Sequence, residues 1–206
     1  MLGENKKISA DKRALDIIKN HHGFILTSQA IKLGIHPRTL YSLRDKGIIE
    51  QISRGFFGLS ELDSISNPDI VAASIRIPQG VICLVSSLSF HNLTTQIPYH
   101  VFIALEKGAE TPRMKYPPLS IHRFSKPAFK AGIEIHKISG VDFRIYNPEK
   151  TLADCFKFRN KLGMDVVVEA LKLYREVREF KVDEIMKFAR ICRVANIMKP
   201  YLEALL

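Results

Sequence analysis

Arg38, Thr39, Ser42 and Arg44 fall inside one short run, LGIHPRTLYSLRDKGII at residues 33–49, and Arg54 follows soon after in SRG. Arginine carries a planar fork of donors that matches O6 and N7 of guanine, and threonine and serine hydroxyls reach base edges or phosphates. An arginine beside a glycine, where the backbone can approach closely, suits a phosphate contact. The chemistry of this set is recognition of duplex DNA, with Arg38 and Arg44 carrying sequence preference and Arg54 adding affinity. No comparable set points to catalysis. The chain has no Gly-rich phosphate loop, no nucleophile elbow and no paired carboxylates at metal spacing, and its seven histidines form no HxxxH or HExxH pair. We therefore expect no enzyme, no cofactor and no metal site.

Such side chains need a helix that presents them and a core that holds it. Gly34 marks a turn, Pro37 suits a first helical position with His36 as an unusual cap, and Gly47 marks a stop. Between them Leu40 and Leu43 fall on one buried face and leave Arg38, Thr39, Ser42 and Arg44 outward. Upstream, Ala14, Leu15, Ile17 and Ile18 give one apolar stripe closed by Gly23. FILTSQAIKLG then reads as a short helix capped by Thr27 or Ser28 and buried through Ala30, Ile31 and Leu33, with Ile35 tucked in after it. IIEQI and FFGL around SRG read as a hairpin. Three helices and a hairpin, in that order, predict a winged helix-turn-helix over residues 1–62 whose third helix enters the major groove.

Charge and composition agree with an anionic partner. The chain has 206 residues, 46% of them hydrophobic, and a formal net charge of +10. The excess is spread along the sequence, so a binding patch must be made by folding. The N-terminus MLGENKKISADKR lacks the apolar core of a signal peptide, and no segment is long and apolar enough to span a bilayer. A cytoplasmic protein without membrane attachment is expected. Cys83, Cys155 and Cys192 lie far apart among apolar residues, as buried reduced thiols do.

The stretch GFILTSQAIKLGIHPRTLYSLRDKGIIEQISRGFFGL resembles the N-terminal domain of the AbiEi family, the antitoxins of type IV AbiE abortive-infection toxin-antitoxin systems. The likeness rests on a short helix, Gly, a recognition helix with a Leu-x-x-Leu pair, and a hairpin ending in Arg, Gly and an aromatic residue. It continues less sharply in PQGVICLVSSLSFHNLT and FRIYNPEKTLADCFKFRNKLG. Family members usually place a small polar residue where His36 stands. The resemblance implies a transcriptional autoregulator and repressor that binds operator inverted repeats, with a C-terminal domain that counters a nucleotidyltransferase-like toxin, functionally if not by contact. Pattern alone also admits a protein-interaction module that neutralises a partner enzyme without touching DNA.

Residues 63–206 read as a second, α+β domain beyond the linker SELDSISNP. PDIVAASIRI and VSSLSFHNL read as helices. YHVFIALE, LSIHRF, IEIHKI and VDFRIY read as strands of a small, mostly antiparallel sheet. From Asn147, a cap before Pro148, the chain turns helical to its end. Asp154, with Glu149 and Lys150, reads as an ion pair or buried cap, and Lys157 and Phe158 lie on the following turn. His122 and His136 are candidates to face one another across the sheet, and RFSKPAFKAG for either a solvated loop or an extension of the nucleic-acid surface.

Overall fold

Ala14 and Ile18 stand one helical turn apart, and both are buried, which fixes the inward face of the first helix. The computed structural model describes residues 9–62 and 66–205. Residues 1–8 of the stretch read as lacking a signal peptide, and residues 63–65 of the linker, lie outside the described residues. The chain forms two compact units, Met1–Ala72 with Ile138–Val141, and Ala73–Lys137 with Asp142–Leu206.

In the first unit, α1 (Ala10–Asn20) starts where the Ser9 side chain accepts the Lys12 N–H. It ends where Gly23, at φ +81°, sends its N–H to the Ile18 carbonyl. β1 (Phe24–Leu26), α2 (Thr27–Lys32), α3 (Pro37–Asp45), β2 (Ile49–Ser53) and β3 (Phe56–Leu59) follow. The strands form an antiparallel sheet in the order β1-β3-β2. This is the winged helix expected from the sequence, with β1 added. All three residues of β1 are buried, so it lacks the alternation that reveals a strand. Two local expectations change. Leu26 precedes α2 without a side-chain cap, and the Thr27 hydroxyl instead donates to the Gly55 carbonyl at 3.3 Å. Ile31 is 53% exposed, because six residues give α2 a single inward turn and Ala30 occupies it. Ala14, Ile18, Ile25, Ala30, Ile35, Leu40, Leu43 and Phe57 make the core.

The second unit confirms the mixed α+β class. In order come α4 (Pro68–Arg76), β4 (Val81–Ile82), α5 (Leu84–Phe90), β5 (Val101–Glu106), β6 (Leu119–Phe124), α6 (Lys126–Lys130), β7 (Ile133–Ile138) and β8 (Val141–Tyr146), of which α4 up to Ala72, Ile138 and Val141 are counted in the first unit. The helices α7 (Pro148–Lys157), α8 (Arg159–Leu162), α9 (Met164–Val177), α10 (Val182–Cys192) and α11 (Ala195–Glu203) complete it. The sheet order is β6-β5-β4-β8-β7. β4 runs antiparallel to β5, but β5–β6 and β4–β8 are parallel, so the sheet is mixed. Each strand shows its character locally, whereas its direction depends on the connections between strands. His122 on β6 and His136 on β7 lie on opposite edge strands and do not face each other.

α7 is the central helix, packed against α5, α9, α10 and α11. Asn147 caps it, accepting the Lys150 N–H at 2.8 Å. Inside, Lys150 and Asp154 form an ion pair at 2.5 Å with both side chains fully buried. The Lys150 ammonium lies over the Tyr146 ring at 4.1 Å, and the Cys192 thiol donates to Asp154 at 3.2 Å. Burial raises the Asp154 carboxyl above its ordinary range, against the pull of Lys150. All three cysteines are free and buried, and burial with the nearby Asp154 charge raises the Cys192 thiol to about 12.

Asp154→Ala alone strands a buried ammonium and should cost about 3–5 kcal/mol in urea denaturation, while Lys150→Met with Asp154→Leu should recover most of it. A pH dependence comes from His91, whose Nε2–H donates to the Tyr146 carbonyl at 2.9 Å. Burial lowers His91 and His122 below the ordinary 6.5. The unfolded chain therefore takes up protons first as pH falls, and stability present above 6.5 is lost below it. The urea midpoint should drop between about pH 7.5 and about pH 5.5, and His91→Gln should flatten that drop.

Candidate nucleic-acid interface

α3 is fixed at both ends by local chemistry. His36 is extended and its Nδ1 accepts the Arg38 N–H at 3.1 Å, so the imidazole does the work of a small polar cap. Pro37 fills the first turn. Gly34 before it and Gly47 after it take φ values of +82° and +69°, which L side chains rarely adopt. Leu40 and Leu43 are buried, and the helical repeat then sends Arg38, Tyr41, Ser42 and Asp45 to the opposite face.

The five residues singled out in the sequence occupy different settings. Arg38 is exposed and Ser42 half-buried on the outward face. Thr39 turns to the flank, where it lines a groove of about 450 Å³ with Ser9, Arg13 and His36. Arg44 is drawn back along the helix: its Nε and Nη2 donate to one Asp45 carboxylate oxygen at 3.0 and 2.8 Å. Its guanidinium also lies over the Tyr41 ring, 5.2 Å from the centroid. Arg54 is exposed on the hairpin.

The hairpin is short and anchored. Ser53 pairs with Phe56 across a two-residue turn of Arg54 and Gly55, next to a bulge between Gln51 and Ser53. The carbonyl of Gly55, a residue at φ +75°, accepts the Thr27 N–H at 2.8 Å, which ties the wing to the start of α2. Among the described residues Arg54 makes no ion pair, and neither does Arg38.

Three residues join the picture without having been read from the sequence. Tyr41 is 45% exposed and meets Phe57 edge-on at 6.3 Å. It lies one helical turn before Arg44 and Asp45, a spacing visible in the sequence. Asp45 matters through Arg44, its immediate neighbour. Arg13 comes from α1, and its Nη2 lies 3.8 Å from where a Cβ on Gly34 would sit. No local pattern links residue 13 to the turn at 34, because folding alone brings them together.

In the second unit the candidate aromatics and the Lys150–Asp154 pair are buried. In RFSKPAFKAG, Phe124 and Phe129 are buried and cannot stack on bases. Lys150 and Asp154 are closed off from any substrate. Among the described residues no cluster of His, Cys, Asp or Glu could hold a metal ion, and no helix is long and apolar enough to cross a membrane.

The family match falls on the winged helix. Residues 12–60 match the family described as transcriptional regulator, AbiEi antitoxin. The match begins within α1 and ends just after β3, so the resemblance read from the sequence is borne out there. A solved structure, that of the RV2827C protein from Mycobacterium tuberculosis, is similar with a TM-score of 0.47 and 13% identity, covering 98% of this chain and 83% of that one. No curated protein matches the chain.

In the AbiEi-matched domain the cap of α3 is testable. His36→Ala should cost about 1 kcal/mol in urea denaturation, and His36→Asp, which restores an acceptor and adds a charge favourable to the helix N-terminus, should recover it.

Proposed function

We propose that the chain is a DNA-binding transcriptional autoregulator and the antitoxin of a type IV abortive-infection system, acting in the cytoplasm. The observation that carries this reading is the outward face of α3, with Arg38 and Ser42 opposite the buried Leu40 and Leu43, on a domain matched to a transcriptional-regulator family. In this reading α3 enters the major groove, Arg38 and Arg44 read base edges, Thr39 and Ser42 contact bases or phosphates, and Arg54 grips the backbone. The operator consists of inverted repeats upstream of the gene. The boundary between the DNA-binding and antitoxin domains lies near residue 62, and the C-terminal domain counters a nucleotidyltransferase-like toxin.

The test is a gel shift of the full chain on the duplex upstream of its own gene against a random duplex of equal length. Preference for the upstream duplex is expected, and equal weak binding to both would overturn the reading. Arg38→Ala should lose about 1–3 kcal/mol of specific binding and relax the preference at one base pair. Arg54→Ala should weaken specific and random binding alike and reduce the log-log salt slope by about one.

A further inference from the structure

We propose that Asp45 is a positioning residue that presents Arg44 as a reader of guanine. The proposal rests on the DNA-binding reading above and names the base one side chain selects. Arginine has one donor on Nε and two on each terminal nitrogen. In this structure the Nε–H and one Nη2–H are both taken by a single Asp45 oxygen, at 3.0 and 2.8 Å. Three N–H groups remain, and two of them, one on Nη1 and one on Nη2, form the end of the fork and run parallel at the spacing of guanine O6 and N7; the third, on Nη1, points back toward Cδ. The Tyr41 ring covers one side of the guanidinium, and Phe57 meets Tyr41 from the sheet. Together they limit rotation of the fork. The paired side chains stay accessible, at 38% for Arg44 and 66% for Asp45.

The position of the carboxylate argues against a stabilising role. Asp45 is the last residue of α3, where the helix dipole disfavours negative charge. On a surface that meets phosphates in the proposed complex it also repels the ligand. A charge that opposes both helix and backbone binding has its use in specificity.

The experiment is selection from randomised duplexes with the full chain, comparing wild type, Asp45→Ala, Asp45→Glu and Arg44→Lys. Wild type should enrich a motif with a fixed guanine in each half-site. Asp45→Ala and Arg44→Lys should lose the preference at that base by about ten- to a hundredfold, and Asp45→Ala should bind random duplex as tightly as wild type or more so. Asp45→Glu, which keeps a carboxylate, should retain the preference. An Asp45→Ala motif identical to that of wild type overturns the positioning role while leaving the DNA-binding reading intact. A wild-type chain that enriches nothing overturns both.

Discussion

Burial of Leu40 and Leu43 is the constraint on which the rest of the first unit depends. Each leucine contributes about 1.5–3 kcal/mol by leaving water, and both face the core from one side of a nine-residue helix. With that side committed, the remaining side chains of α3 have no freedom to choose their direction. Arg38 and Ser42 face outward because the leucines face inward. The ends of the helix hold the register, through the His36 cap and the left-handed glycines on either side.

Much of this was legible in the sequence because it is local. The glycines, Pro37 and the leucine pair are each within a few residues of what they control, and the winged-helix order follows from them. Legibility fails where the controlling partner is distant or the segment short. β1 hides because all its residues are buried, and Ile31 is exposed because Ala30 alone fills the inward turn of α2. The mixed directions of the second sheet and the separation of His122 from His136 depend on chain connections that no local pattern records. Of the candidate site, the residue types were legible but not their settings: Thr39 turns to a groove with Arg13, and Arg44 is held by its own neighbour.

The second unit is organised by a different rule. A fully buried lysine and aspartate are costly to desolvate, and their mutual attraction offsets that cost only in good geometry. Here the pair lies four residues apart on α7, with the ammonium over Tyr146 and the carboxylate receiving Cys192 from α10. The polar groups thus tie α7 to Tyr146 before it and to α10 beside it. The sequence spacing shows the pair, but the closure of the surrounding core decides that it is structural.

These two organisations bear on where selectivity would reside in the proposed DNA complex. A net charge of +10 spread over the chain attracts any polyanion and distinguishes no sequence. Base-edge donors supply discrimination, and those whose direction is fixed before the ligand arrives lose less of it to the ordering of a free side chain. Arg38 is exposed and makes no ion pair among the described residues, so it adapts. Arg44 is held on one edge by Asp45 and on one face by Tyr41, so the two donors at the end of its fork have one direction. In the proposed complex, the acidic residue at the end of α3 therefore adds a pre-directed reader to the base contact that Arg38 makes.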